Sequence, residues 1–258
     1  MKTLLDTAIK ASIKAGDEIL KIYATNFEVE TKGDDSPLTR ADQNANTVIN
    51  AYLQPTSIPI ISEENKQTEY EERRHWTQCW IVDPLDGTKE FVKRNGEFTV
   101  NIALIKDGKP VLGVIYVPVS NELYFTNHQA TKSYKCIIDS NNTLEEIFSN
   151  AAPIFPAEKT RPIKVVGSRS HLNDDTKMFI EALDGATEIV SKGSSLKFCL
   201  VAEGKAHVYP RFAPTMEWDT AAGQAICQAA GVQVVMADTK TPLVYNKENL
   251  LNPYFIVE

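Results

Sequence analysis

The sequence WIVDPLDGT at residues 80–88 leads from an apolar strand into a turn that carries two carboxylates. Its proline fixes the local φ angle, and Gly87 permits a tight turn. Asp83 and Asp86 can therefore converge on one point, and the carbonyl oxygen of Leu85 can join them. Hard oxygen ligands at this density suit Mg²⁺ or Ca²⁺ rather than zinc. The alternative is a polar turn in which the Asp-Gly pair serves only the turn itself.

The periodicity of apolar residues around this segment predicts two helices followed by an antiparallel meander. Asp107-Gly108 supplies a hairpin turn signal between two of the strands. The predicted helices cover 4–23 and 40–53, and the predicted strands cover 58–61, 80–83, 98–105, 111–117 and 122–125.

Residues 140–162 are rich in asparagine and proline and are the best candidate for a boundary. Beyond them, predicted strands and helices alternate. These elements cover 163–166, 174–183, 187–190, 194–203, 206–209, 220–230 and 232–235. We therefore predict an α+β N-terminal half, residues 1–155, and an α/β C-terminal half, residues 156–258.

The composition of the 258-residue chain is that of a folded globular protein, with 43% hydrophobic residues. Its net charge of −7 does not favour general electrostatic attraction to nucleic acid. No apolar run reaches the roughly 18 residues that a membrane helix needs, and the N-terminus lacks the apolar core of a signal peptide. Four cysteines without a Cys-x-x-Cys pair indicate reduced thiols. We expect a cytoplasmic protein, with attachment to the inner face of the cell membrane left open.

Several common catalytic motifs are absent from the sequence. There is no GxxxxGK[ST], no GxGxxG, no HExxH and no GxSxG. A P-loop, a dinucleotide fold, a zinc hydrolase and a serine hydrolase therefore lack support, and the carboxylates carry the chemical argument.

Three other acidic positions could join the 80–88 turn, and each has a second interpretation. Glu63 and Glu64 follow a short predicted strand, so at least one could point inward, although both could belong to a solvated acidic loop. Asp219 stands where a helix of small residues begins, and it could be an N-cap. Thr39 and Asp42 match a helix-starting Ser/Thr-x-x-acid box, so capping alone could explain Asp42.

Three segments together resemble the inositol monophosphatase superfamily of metal-dependent, lithium-sensitive phosphomonoesterases: DPLDGT at 83–88, the upstream glutamate pair, and WDTAA at 218–222. Residues 83–104 and 193–211 look like the CysQ-type 3′(2′),5′-bisphosphate nucleotidases of that superfamily. The resemblance runs from Leu4 to Val257. It implies a layered αβαβα sandwich, which agrees with the α+β and α/β halves predicted above.

The resemblance also implies the site residues. Two to three Mg²⁺ ions would be held by Glu63, Asp83, the Leu85 carbonyl, Asp86 and Asp219. The residues implied to act in catalysis are Asp42, Glu63 and Thr88, of which Asp42 and Thr88 orient the attacking water, and the role of Glu64 stays open. Attack is in line and forms no covalent enzyme intermediate. The implied substrate contacts are Glu63, Leu85, Asp86, Gly87, Thr88, His171, Ser194, Lys197, Arg211 and Asp219.

Some of these contacts also have an independent interpretation from the residues. Gly193-Ser194-Ser195 before an apolar helix is a plausible anion-binding N-terminus, with Lys197 in its first turn. Lys197 and Arg211 could instead be a solvated surface pair, and His171 could be an ordinary loop histidine.

By this resemblance the expected activity is hydrolysis of adenosine 3′,5′-bisphosphate to AMP and phosphate, in sulfate assimilation or nucleotide recycling. The sulfated relative, 3′-phosphoadenosine 5′-phosphosulfate, is a second expected substrate. One rival is an inositol monophosphatase or a broad sugar-phosphate phosphatase, and another is a catalytically silent nucleotide-binding regulator. The segment GTKEF at 87–91 favours the nucleotidase, because inositol phosphatases usually resemble GTTNF there. The expected partner is a small nucleotide bisphosphate, and the oligomeric state stays open.

Overall fold

Two helices and a seven-stranded sheet form the first half of the chain in the computed structural model, which describes residues 1–25, 37–139, 141–167 and 172–258. The strands follow sequence order across the sheet; β1 is parallel to β2, and the other neighbours are antiparallel. The helices are α1 (Lys2–Tyr23), α2 (Pro37–Leu53), α3 (Tyr70–Arg73), α4 (Thr88–Val92) and α5 (Leu144–Asn150). The strands are β1 (Ile60–Ser62), β2 (Gln78–Asp86), β3 (Thr99–Lys106), β4 (Lys109–Val117), β5 (Glu122–Thr126), β6 (Ser133–Ile137) and β7 (Ala152–Pro153).

The second half contributes three helices and two small groups of strands. Strands β8 and β9 are parallel, and β10, β12 and β11 form an antiparallel sheet in that order. A bridge between Val165 and Val208 links the two groups. The elements are β8 (Ile163–Val166), α6 (Asp174–Glu181), β9 (Thr187–Val190), α7 (Leu196–Ala202), β10 (Tyr209–Arg211), α8 (Glu217–Ala230), β11 (Val234–Met236) and β12 (Phe255–Val257).

Alternating side chains of the large sheet enter two different cores. Trp80 and Val82 of β2 pack with α1 and α2, whereas Ile81 packs with α7 and α8 on the opposite face. This follows from the two-residue period of a strand. Gly113 of β4 allows the close approach of α8, because a Cβ atom there would lie 2.5 Å from the carbonyl oxygen of Ala222.

The smaller sheet repeats the arrangement. Phe255 and Val257 of β12 face the core formed by α7 and α8, and Ile256 faces the opposite side with Phe179 of α6. The layers therefore run helix pair, large sheet, helix pair, small sheet and helix, and the predicted αβαβα sandwich is confirmed. Helix α8 of the second half packs directly on β3 and β4 of the first half, so the packing crosses the predicted boundary between residues 155 and 156. The division of the chain at that boundary stays a prediction. Within the described ranges, every helix is too short or too polar to cross a membrane.

Several predicted boundaries were wrong. Helix α2 begins at Pro37 rather than at residue 40, since proline is well suited to the first helical position. The strand predicted at 80–83 runs through its proline to Asp86, where the ladder with β3 is irregular. The strand predicted at 206–209 begins at Tyr209. The sequence interpretation missed β6, α5 and β12 among others, since elements of three to seven residues give weak periodic signals.

Candidate active site

An irregularity at the end of β2 sets the positions of its two aspartates. Asp83 is opposite Asn101 of β3 and Asp86 is opposite Thr99, and the register shifts between these pairs. The Leu85 N–H donates to Oδ1 of Asp83 at 3.1 Å, which closes the turn. Asp83 is almost fully buried, so its carboxylate is held by the protein rather than by solvent.

Asp219 reaches the same point from α8. It is the third residue of the helix, and its Oδ2 accepts the Met216 N–H at 2.8 Å. The N-cap position belongs to Met216, so the interpretation of Asp219 as the N-cap residue was wrong, although one of its oxygens does cap the chain. The carboxylates of Asp83, Asp86 and Asp219 lie within 4.8 Å of one another. The structure thus brings together three of the four carboxylates that were predicted to bind metal.

Burial and mutual repulsion shift the titration of this cluster. Burial, followed by the charges of Asp86 and Glu63, raises the pKa of Asp83 well above its usual value. Burial also raises the pKa of Asp86, and the charge of Lys197 opposes this shift. The pKa of Asp219 rises to about 7, mainly through burial and then through Asp86. Three carboxylate groups with these properties, one buried and two half-buried, fit a hard divalent cation, which would relieve their repulsion.

The raised pKa of Asp219 predicts a pH-dependent stability of the metal-free protein. Its carboxyl binds a proton more tightly in the folded state than in the unfolded state, so it stabilises the fold most below about pH 4. That contribution is lost as the pH rises through about 7. In excess chelator, Tm should therefore fall over this window relative to Asp219→Asn, by about 2–4 °C for each kcal/mol lost.

Thermal unfolding of both proteins between these limits checks this expectation. Added Mg²⁺ should raise the Tm of the wild type more than that of Asp219→Asn. If Tm in chelator changed with pH in the same way for both proteins, the predicted loss of stability through ionisation of Asp219 would be contradicted.

Glu63 and Asp42 influence the titration of the cluster without belonging to the group of three carboxylates. The Glu63 N–H donates to the Val82 carbonyl at 3.2 Å, and its side chain is exposed. The charges of both residues raise the pKa of Asp83, but neither carboxylate belongs to the group of three. Asp42 is buried within α2, so the interpretation of Thr39 and Asp42 as a helix-starting box was wrong, because the helix begins before them.

The remaining residues of the first half lie close by in the chain. Gly87 has a φ of 100°, which an L side chain rarely adopts, and Thr88 is the first residue of α4. Both are half-buried. Glu64 is half-buried too, and its N–H donates to the Ser62 hydroxyl at 3.4 Å, which assigns it no chemical role.

A cleft of about 860 Å³ opens beside the cluster and contains residues from both halves. The predicted site residues that line it are Asp86, Gly87, Ser194, Lys197, Arg211 and Asp219. Lys197 and Arg211 are half-buried there, so they are not a solvated surface pair. His171 lies outside the described residues.

Ser194, Lys197 and Arg211 line the cleft, and we call them the cationic wall. Two of their polar atoms have no hydrogen-bond partner among the described residues. Ser194 Oγ and Arg211 Nε are both buried without a hydrogen bond in the described structure. The Lys197 ammonium donates to the Ser194 carbonyl at 3.0 Å, and Arg211 Nη2 donates to the Pro214 carbonyl at 3.2 Å. Burial lowers the pKa of Lys197, while the charge of Asp86 raises it. An unsatisfied buried donor is costly, so this wall fits an anionic ligand.

Sequence reasoning missed the residues that orient Asp86. Its Oδ2 accepts the Ser195 N–H at 2.6 Å and the Asn101 amide at 3.2 Å. The Ser195 hydroxyl in turn bonds to Thr99 Oγ1 at 2.8 Å and to Asn101 Oδ1 at 2.7 Å. A polar asparagine within the apolar run of β3 was the available signal.

This network also corrects the predicted anion-binding helix start. Helix α7 begins at Leu196 instead of Ser194, since Ser194 has a left-handed φ of 45°. The N–H of Ser195, the N-cap residue, is already donated to Asp86.

These features coincide with a family assignment. The model of the inositol monophosphatase family matches residues 1–254, and the chain belongs to that family. Among its relatives, the 3′(2′),5′-bisphosphate nucleotidase CysQ of Salmonella typhimurium is 45% identical over 258 residues, covering 98% of this chain and 99% of that protein. The crystal structure of CysQ from Bacteroides thetaiotaomicron has 52% sequence identity and a TM-score of 0.92, covering 100% of this chain and 97% of that one.

More distant relatives share the fold. Inositol monophosphatase-II from Staphylococcus aureus MSSA476 has a TM-score of 0.77 at 20% identity, covering 99% of this chain and 88% of that one. At this identity the likeness concerns the fold alone.

Proposed function

We propose that this protein is a Mg²⁺-dependent 3′(2′),5′-bisphosphate nucleotidase that hydrolyses adenosine 3′,5′-bisphosphate to AMP and phosphate. One observation carries the proposal: a single cleft is lined both by Asp86 and Asp219 of the carboxylate cluster and by Lys197 and Arg211. The carboxylates suit a metal and the cations suit an anion, which is what a substrate with two phosphates requires. The Salmonella typhimurium relative that is named a 3′(2′),5′-bisphosphate nucleotidase, 45% identical over nearly the whole chain, supports this substrate class.

The donor set supports Mg²⁺ as the metal, because the cluster found among the described residues offers carboxylate oxygens as ligands. Two to three ions would be held by Glu63, Asp83, the Leu85 carbonyl, Asp86 and Asp219. Bound Mg²⁺ would neutralise phosphate charge and lower the pKa of an attacking water. The two hydrogen bonds to Oδ2 of Asp86 hold this carboxylate in place and leave its Oδ1 available.

Residues of α2 and α4 would orient the water that attacks phosphorus in line. Asp42, buried and close enough to raise the pKa of Asp83, would accept a hydrogen bond from the Thr88 hydroxyl. Thr88 and the Gly87 N–H would then face the phosphate that is cleaved. Catalysis in this scheme is positioning and charge stabilisation, without a covalent enzyme intermediate.

The cationic wall would hold the phosphate that is not cleaved. Ser194 Oγ and Arg211 Nε, which have no partner among the described residues, are donors that such a phosphate would satisfy, and Lys197 would add charge. His171 is proposed to contact the nucleoside. The same contacts could accept the 5′-phosphosulfate of 3′-phosphoadenosine 5′-phosphosulfate, which we propose as a second substrate and a link to sulfate assimilation.

Phosphate release from two substrates separates this proposal from its rivals. With Mg²⁺, kcat/KM for adenosine 3′,5′-bisphosphate should exceed that for inositol 1-phosphate by at least about 10-fold, the lower range expected for one charged contact. Excess chelator should abolish release, and Mg²⁺ should restore it.

Each rival predicts a different result in the same assay. Preference for inositol 1-phosphate would support the inositol phosphatase. Tight nucleotide binding without any phosphate release would support the silent regulator.

A further inference from the structure

Glu97 precedes β3, lines the cleft and bonds to the loop before α7. Its Oε1 accepts the Lys192 ammonium at 3.0 Å, and its Oε2 accepts the Gly193 N–H at 2.8 Å. The Glu97 side chain is 21% exposed, and that of Lys192 is 40% exposed. We call these three residues the Glu97 latch. It joins segments that are 95 and 96 residues apart in the sequence.

The latch is packed as well as hydrogen-bonded. A Cβ atom at Gly193 would overlap the Glu90 side chain and would lie 3.0 Å from Cβ of Glu97. The loop therefore rests directly against the wall formed by the first half. The next residue, Ser194, has a left-handed φ of 45°, a conformation that is costly outside glycine and needs support from its surroundings.

The latch acts only on the part of the loop before Ser195. Ser195 has its own anchors, because its N–H donates to Asp86 and its hydroxyl bonds to Thr99 and Asn101. Loss of the Glu97 carboxylate would therefore release Gly193 and Ser194 while the support of Asp86 remains. The position of Ser194 can therefore be perturbed without changing the hydrogen bonds that hold Asp86.

We propose that Glu97 is a positioning residue that holds Ser194 and the adjoining cationic wall in place for the phosphate that is not cleaved. This inference rests on the proposed bisphosphate activity and deepens it, since it assigns substrate preference to a residue outside the predicted site. Within the described part of the chain, the Ser194 hydroxyl is buried without a partner, and the Ser194 carbonyl accepts the Lys197 ammonium at 3.0 Å. Moving Ser194 would thus displace two groups of the wall together.

A carboxylate beside a phosphate site needs its charge neutralised, or it would repel the substrate. Glu97 meets this requirement, because Lys192 pairs with one oxygen and the Gly193 N–H with the other. Both oxygens of the Glu97 carboxylate therefore accept hydrogen bonds from the loop, and they would not be directed at the phosphate. Glutamine at this position would keep an acceptor for the Gly193 N–H but lose the ion pair.

The test compares Glu97→Ala, Glu97→Gln and Lys192→Ala with the wild type, using the full chain with Mg²⁺. AMP serves as the binding probe, measured by calorimetry, because it keeps the uncleaved phosphate and does not turn over. Glu97→Ala should raise the Kd for AMP and the KM for adenosine 3′,5′-bisphosphate by about 10-fold, as expected for a lost charged hydrogen bond. Its kcat, its kcat/KM for inositol 1-phosphate and its Mg²⁺ activation curve should stay within about 2-fold, because Asp86 keeps its partners.

The variants should rank by the bonds that they keep. Glu97→Gln and Lys192→Ala each retain an acceptor for the Gly193 N–H, so both should show less than half of the tenfold effect on a logarithmic scale. Glu122→Ala is the matched control, since Glu122 is 26% exposed, pairs with Lys135 and does not line the cleft. It should leave AMP binding unchanged.

Three results would overturn the inference. Unchanged AMP affinity in Glu97→Ala would mean that the latch positions nothing. Equal losses on both substrates, or a shifted Mg²⁺ requirement, would mean general support of the fold. A wild type that neither binds AMP nor hydrolyses the bisphosphate would remove the proposed function, and the inference with it.

Discussion

Asp83→Asn should reduce phosphate release from adenosine 3′,5′-bisphosphate by about 10³-fold or more, which corresponds to about 4 kcal/mol of transition-state stabilisation. The side chain is buried, and its charge is opposed by Asp86 and Glu63. The wild type is therefore prepared for a cation that the variant would hold less tightly. Asparagine keeps an oxygen to accept the Leu85 N–H, so the turn should survive.

The same substitution should not destabilise the metal-free protein. A neutral amide removes a buried charge and its repulsion, so Tm in chelator should be equal to or higher than that of the wild type. Asp107→Asn, in the exposed turn between β3 and β4, is the matched control and should keep full activity. Retained activity in Asp83→Asn, or a collapse of its Tm in chelator, would exclude the metal-ligand role.

Arg211→Ala should lower kcat/KM for adenosine 3′,5′-bisphosphate by roughly 10- to 150-fold, the range of 1.5–3 kcal/mol for a hydrogen bond with a charged partner. Arg211 lines the cleft, and its Nε is buried with no hydrogen-bond partner among the residues that the structure describes. Hydrolysis of inositol 1-phosphate should change much less, because that substrate brings no second phosphate to this wall. Arg211→Lys should recover only part of the loss, since a point charge replaces a planar fork.

Measuring both substrates separates a contact with the substrate from general support. Lys197→Ala should show the same selective loss, because Lys197 shares the cleft. Arg74→Ala is the control, since the Arg74 side chain is 48% exposed and pairs with Glu71. If Arg211→Ala damaged both substrates equally, the wall would support the site as a whole, and the bisphosphate assignment would lose its main physical basis.

Local sequence predicted much of the metal side of the cleft. A proline-containing turn at the end of an apolar strand carries Asp83 and Asp86, and the Leu85 N–H closes this turn on Asp83. The helical stripe of α1 was also predicted, because it buries a single face with regular spacing. The strands of the meander are buried on both faces and were predicted as short apolar runs next to turn signals. The predicted helix starts were wrong where a residue can stand either before a helix or within its first turn, as at Pro37 and Ser194.

The interpretation of Asp42 and Asp219 as possible caps shows a second limit. Each stands within a pattern that fits a helix start, and only the observed start of the helix decides between capping and another role. Asp219 does cap one N–H and also faces the cluster, because a carboxylate has two oxygens. Sequence patterns treat such roles as alternatives, although one side chain can fill both.

Local spacing and composition were enough to predict the turn with its two aspartates and the identity of the charged residues, and the resemblance to a family implied the layered fold. Which of these residues meet became clear only from the folded structure. The bond from Ser195 to Asp86 spans 109 residues, and the bond from Gly193 to Glu97 spans 96. Contacts of this kind arise when α7 and α8 pack on the large sheet, and local periodicity carries no record of them, because it reports which face is buried and not what lies against it.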